Sequence, residues 1–116
     1  MDIAKIIVTD NSGKKRAKAE FFNKDGKKVK TTSFGMEGSR GTFYDGATEE
    51  KKSLYLKRHE KRENWTKSGL TTPGFLSRWF LWSERTNNKI KKEVSRVSGI
   101  PVKNIKFNLE RIKVLD

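Results

Sequence analysis

The sequence predicts a small α+β domain: an antiparallel sheet made of an N-terminal three-stranded meander and a C-terminal strand, packed against two or three helices. Three observations carry this reading. Residues 1–34 alternate with period two around two turn signals. Two helix-start signals, Thr48 before Glu49-Glu50 and Thr72 before Pro73, open a helical part spanning 48–98. The tail from Val102 then alternates again, with Ile105, Phe107 and Leu109 in phase.

Ile3 to Thr9 is short, apolar and β-branched, as a buried strand requires. Asp10-Asn11-Ser12-Gly13 is a turn. From Lys14 to Phe22, Ala17, Ala19 and Phe21 point one way, and Arg16, Lys18 and Glu20 the other. Asn23-Lys24-Asp25-Gly26 reads as a hairpin turn with Gly26 free to take positive φ. The third strand, Lys27 to Phe34, is expected to place Val29, Thr31 and Ser33 on one face. Lys28, Lys30 and Thr32 then fall on the other, giving the meander a lysine-studded outer face. Residues 35–47 are glycine-rich and acidic and read as a loop. The first helix should run from the Thr48 cap to about Glu63, docking a narrow stripe of Leu54, Tyr55 and Leu56. The segment after Thr72-Pro73 is apolar nearly all round and should be the buried hub. A third helix, roughly Arg85 to Ser98, sets Ile90, Val94 and Val97 on one stripe, and Gly99 and Pro101 end it. The final strand is expected over 102–115, with a bulge near Glu110-Arg111 to bring Ile112 and Val114 into register.

A chain of 116 residues fits one domain, spanning 1–116. Its 27 Lys and Arg outnumber 14 Asp and Glu, a net charge of +13 that attracts polyanions over long range. The charge is uneven: 1–34 carry a net +5, 35–50 a net −3, 51–82 a net +6 and 83–116 a net +5. With no cysteine and one histidine, disulfide and thiolate chemistry are excluded and a tetrahedral zinc site finds no donor set, so no metal or cofactor is expected. Met1 to Thr9 lacks the pattern of a signal peptide, and the longest aromatic block spans eight residues and contains Arg78. The expectation is a protein that is not secreted and makes no stable membrane insertion.

The most informative stretch is Tyr55 to Trp82, which holds all three tryptophans and a dense basic run. Lys57, Arg58, Lys61 and Arg62, offset only by Glu60 and Glu63, can lie along a phosphate backbone and release condensed counterions. The bland alternative is a solvated helix face. Trp65, Trp79 and Trp82 with Phe75 and Phe80 could stack bases. Helical spacing instead assigns Trp79 and Phe80 to the core, leaving Trp65 and Trp82, near loop ends, as the better exposed pair. Arg58, Arg62 and Arg78 can stack on tryptophan, and Glu63-Asn64 can brace the following loop, both structural roles. Gly35, Gly38 and Gly41 around Arg40 lack the ending of a phosphate loop. A single histidine with no evident nucleophile gives catalysis no footing, so the reading is nonenzymatic.

The block Tyr55, Arg58-His59, Lys61-Arg62-Glu63-Asn64-Trp65, followed by Gly74-Phe75-Leu76-Ser77-Arg78-Trp79 and Leu81-Trp82, resembles a family of small basic proteins of unknown function encoded by nucleocytoplasmic large DNA viruses. The hairpin from Phe21 to Thr32 with Phe34-Gly35 is similar to that family's N-terminal part, so the match covers about residues 14–86. After Trp82 the chain reads Ser83-Glu84-Arg85-Thr86, where the family has a lysine-proline-threonine-like turn, and the tail from Asn87 differs. The resemblance implies a viral origin and a shared fold, placing the protein in the virion or in the nucleus or cytoplasm of an infected cell. It implies no activity.

Two functions follow as expectations. In the first, the protein binds DNA or RNA through the phosphate backbone, with Lys57, Arg58, Lys61 and Arg62 as main contacts, Lys18, Lys28 and Lys30 as a secondary strip, and Trp65 as a stacker. In the second, it is a minor capsid or core component whose cations meet acidic protein surfaces. A membrane-interface role through residues 75–82 is the weakest, because the segment is short.

Overall fold

A computed structural model of the protein describes residues 2–11, 13–35 and 41–112. The meander forms from β1 (Lys5–Asp10), β2 (Ala17–Phe22) and β3 (Lys28–Phe34), paired antiparallel. At the β2–β3 turn the Asn23 side-chain oxygen accepts from the amides of Asp25 and Lys27, and Gly26 takes φ 81° as a tight hairpin demands. The C-terminal strand, β4 (Ile105–Asn108), joins the sheet beside β1, in the order β3-β2-β1-β4. It runs parallel to β1, so the sheet is mixed rather than wholly antiparallel. A long helical crossover returns the chain to the end from which β1 started, as parallel pairing requires.

Three helices follow, and the second and third pack against one face of the sheet. α1 (Glu49–His59) starts where Thr48 accepts from the Lys51 amide. It stops at His59, one turn short of the expected Glu63. α2 (Pro73–Leu76), capped by Thr72, runs directly into a π-helical turn, Ser77–Leu81, closed by the Trp82 amide on the Ser77 carbonyl. α3 (Asn87–Ser98) is capped by Thr86 and ends at Gly99, whose φ of 80° stops it as expected. Ile90 and Val94 are buried, with Val97 packed against the core.

Phe75, Leu76, Phe80 and Leu81 of the hub meet Ile6, Val8, Ala19, Phe21, Phe34 and Phe107 of the sheet. Phe80 lies at the centre, its ring 6.2 Å from Phe34 and 5.2 Å from Phe107. The extra residue of the π turn moves Trp79 and Trp82 to the flank while Phe80 and Leu81 both enter the core.

Three further expectations are corrected. First, a register shift between Phe21 and Phe22 opposes Lys30 to Phe21 and Lys28 to Phe22. Thr32 and Phe34 are therefore the buried residues of β3, and Val29 is exposed. Second, the described part of the 35–47 loop is a packed turn in which Thr42, Phe43, Tyr44 and Ala47 are buried; residues 36–40, with Gly38 and Arg40, lie outside the described residues. Asp45 anchors this turn: it takes two bonds from Arg16, at 2.8 and 2.6 Å, and accepts from the amides of Thr42 and Ile112. Third, β4 ends at Asn108 and no bulged continuation follows among the described residues. Beyond it the chain is held by other partners: Arg16 donates to the Glu110 carbonyl and Arg111 to the carbonyls of Tyr44 and Arg85. Residues 113–116, with Val114, lie outside the described residues.

Candidate nucleic-acid interface

The basic run sits on a helix that buries none of its residues. α1 is instead attached by a column of rings. Tyr55 stacks on Trp82 at 4.4 Å with planes 5° apart, and His59 stacks on Tyr55 at 4.4 Å. His59 Nδ1 lies 3.2 Å from the Glu63 carboxylate, whose other oxygen accepts from Trp65 Nε1 at 3.1 Å. At the other end of the helix, Lys52 donates to the Ser83 carbonyl and covers the Phe43 ring. The docking stripe is thus Tyr55, His59 and Glu63, four residues apart, while Leu54 is 48% exposed. Burial, reinforced by the Glu63 carboxylate, raises the Tyr55 pKa above the ordinary phenol range, so its hydroxyl stays protonated.

Arg78 serves the same joint from the hub. Its guanidinium lies 4.1 Å from the Trp79 ring centre and 5.4 Å from that of Trp65, and Nη1 donates to the Trp82 carbonyl. Burial pulls its pKa down, while Nε finds no acceptor. This is the folding role anticipated for arginine beside tryptophan. Asn64 braces the next loop, accepting from the Thr66 amide and donating to the Ser68 hydroxyl.

Lys57, Arg58, Lys61 and Arg62 are all exposed, in the last turn of α1 and the turn after it. None takes part in an ion pair among the described residues. Among them, the Arg62 side chain donates to the Arg58 carbonyl. Part of their placement complements the negative end of the helix dipole, which favours cations here whatever the partner. Trp65 is half-buried, with Arg78 over its ring and its carbonyl accepting from Trp79 Nε1.

The structure does not gather Lys18, Lys28 and Lys30 into one strip. Lys18 and Lys28 face away from the helices, and Lys28 is paired with Glu20 at 3.0 Å. Lys30, on the helix-packed side because of the register shift, reaches Thr71 Oγ1 at 3.3 Å. Sequence reasoning missed Lys5, Phe22 and Lys106, which share the open face with Lys18. The signal was present: the alternation that buries Ile6, Val8 and Phe107 turns Lys5 and Lys106 outward. No helix among the described residues is long and apolar enough to cross a membrane. Scans against protein-family models, curated proteins and solved structures find no match to the chain.

Proposed function

We propose that this is a nonenzymatic protein that binds nucleic acid through its phosphate backbone, in the virion-associated role that its viral resemblance implies. The observation that carries the reading is the group Lys57, Arg58, Lys61 and Arg62: four exposed cations without a carboxylate partner, on a helix end fixed by the Tyr55–Trp82 stack. By contrast, Arg16 is paired with Asp45 and Arg96 with Glu93, while Arg78 and Arg111 are spent on backbone carbonyls and aromatic rings. Unpaired cations on a pre-positioned support reach phosphates with little ordering cost. The contacts would be independent of base sequence.

The test is affinity for duplex DNA and RNA across a salt series. Replacing all four cations with glutamine should lower the slope of log affinity against log salt by roughly 3 to 4. Absence of binding at low salt would refute the reading. A fixed place in a capsid shell away from the genome would favour the structural role instead.

A further inference from the structure

Helices pack on only one face of the four-stranded sheet. On the other, the register aligns Lys5 opposite Phe22, Ile7 between Lys106 and Glu20, and Lys18 beside Thr9. Phe22 and Ile7 are each only half-buried, and neither belongs to the hydrophobic core. The Lys5 ammonium sits 5.7 Å from the centre of the Phe22 ring. Glu20, the one carboxylate within these strands on this face, is bound to Lys28, which leaves Lys5, Lys18 and Lys106 without an ion-pair partner among the described residues. Lys5 and Lys18 stand four residues apart along the strands, roughly 13 Å.

The geometry points to this open face as a second nucleic-acid surface that takes a single strand, with Phe22 stacking on a base and Lys5, Lys18 and Lys106 holding the phosphates on either side. It rests on the proposal that the protein binds nucleic acid, and adds to it the form of the strand and a second place. Charge complementarity selects a polyanion. The aromatic ring selects its form, because a duplex presents phosphates outward and keeps its bases stacked, whereas a single strand offers a base face to Phe22. A face that joins an aromatic ring to unpaired ammoniums is the combination that single-strand binding uses. The surface is distinct from the α1 cations, because the core around Phe80 separates the sheet from the helical layer that carries them.

The experiment measures fluorescence anisotropy of a labelled oligothymidylate and a duplex of equal length, for three variants. Phe22→Leu keeps an apolar strand residue but removes the ring, and should weaken single-strand binding about ten-fold with little effect on duplex. The triple variant Lys5→Gln, Lys18→Gln, Lys106→Gln replaces one exposed and two half-buried lysines, none of them in the core, so it tests the surface even if Phe22→Leu loosens the sheet. It should lower the single-strand salt slope by roughly 2. The third variant carries glutamine at Lys57, Arg58, Lys61 and Arg62. Loss of duplex binding there, with single-strand binding untouched by either sheet variant, overturns the sheet surface and leaves the α1 reading standing. Loss only in the sheet variants supports the sheet surface and removes α1. Failure of the wild-type protein to bind the oligothymidylate at low salt overturns the inference outright.

Discussion

Tyr55 lies flat on Trp82, with ring centres 4.4 Å apart and planes 5° from parallel, and this stack ties α1 to the hub. The helix has no buried residue, so its position depends on side-chain contacts at one stripe. Tyr55→Leu should cost about 1 kcal/mol, since an aromatic pair contributes roughly that beyond its buried area. The effect on binding should be of a particular kind. Because all four cations remain, the salt slope should hold while affinity falls at every salt concentration. Chemical unfolding and a salt series on the same variant check both parts; a changed slope with unchanged affinity would contradict the anchoring role.

Asp45 and Arg16 form a second joint, 29 residues apart in sequence and almost wholly buried, with side-chain exposures of 0% and 9%. Removing one partner of a buried pair leaves the other uncompensated, so Asp45→Asn should destabilise by about 3–5 kcal/mol. Asp45 also accepts from the Thr42 and Ile112 amides, which ties the 41–47 turn to the tail. Replacing Arg16 by Met together with Asp45 by Leu should cost less than the two single changes summed. Urea denaturation of the three variants measures that coupling.

These two joints show where sequence reasoning reached and where it stopped. The strands, the caps at Thr48 and Thr72 and the stop at Gly99 were legible because each rests on local chemistry within four residues. The docking of α1 was not. Tyr55 was placed in the docking stripe, but with Leu54 and Leu56 rather than His59 and Glu63, and its partner Trp82 is aimed by a π turn that no sequence period announces. Asp45 read as part of an acidic loop because its partner is remote. Lys30 was assigned to the wrong face because one bulge at Phe21/Phe22 reverses the alternation of the strand beyond it. The exposure of the cations at 57, 58, 61 and 62 was legible, since a charge run on a helix end has no core to enter.

Both tyrosines should resist ionisation in the folded protein. Burial is the first cause for each; the Glu63 charge adds to it at Tyr55, and Arg111 partly offsets it at Tyr44. Folded-state values above the unfolded phenol value of about 10 mean the folded chain holds these protons more tightly. The corresponding stability is fully present below pH 10 and is lost as pH rises through the folded values. Tyrosinate absorbance should therefore appear at higher pH in native protein than in denaturant. Tyr55→Phe should flatten the alkaline loss of stability, and coincident native and denatured titration curves would refute the expectation.

Gly69 and Gly74 should respond unequally to alanine. A Cβ at Gly69 would fall on the backbone carbonyl oxygen of Asn64, in a loop already fixed by the Asn64, Thr66 and Ser68 bonds. Backbone cannot yield locally, so Gly69→Ala should cost about 1–3 kcal/mol, as overpacking does. A Cβ at Gly74 would instead meet the Glu63 side chain, 2.9 Å from its carboxyl carbon and 3.1 Å from its Cβ; the carboxyl end can swing away, and the Cβ contact needs only a shift of a few tenths of an ångström. Gly74→Ala should therefore cost less stability but pull Glu63 from His59 and Trp65. That displacement would loosen the turn carrying Lys61 and Arg62. Thermal unfolding should rank Gly69→Ala as the more damaging change. Tryptophan emission and DNA affinity should shift in folded Gly74→Ala, and a variant unchanged in both would show that Glu63 does not position the basic turn.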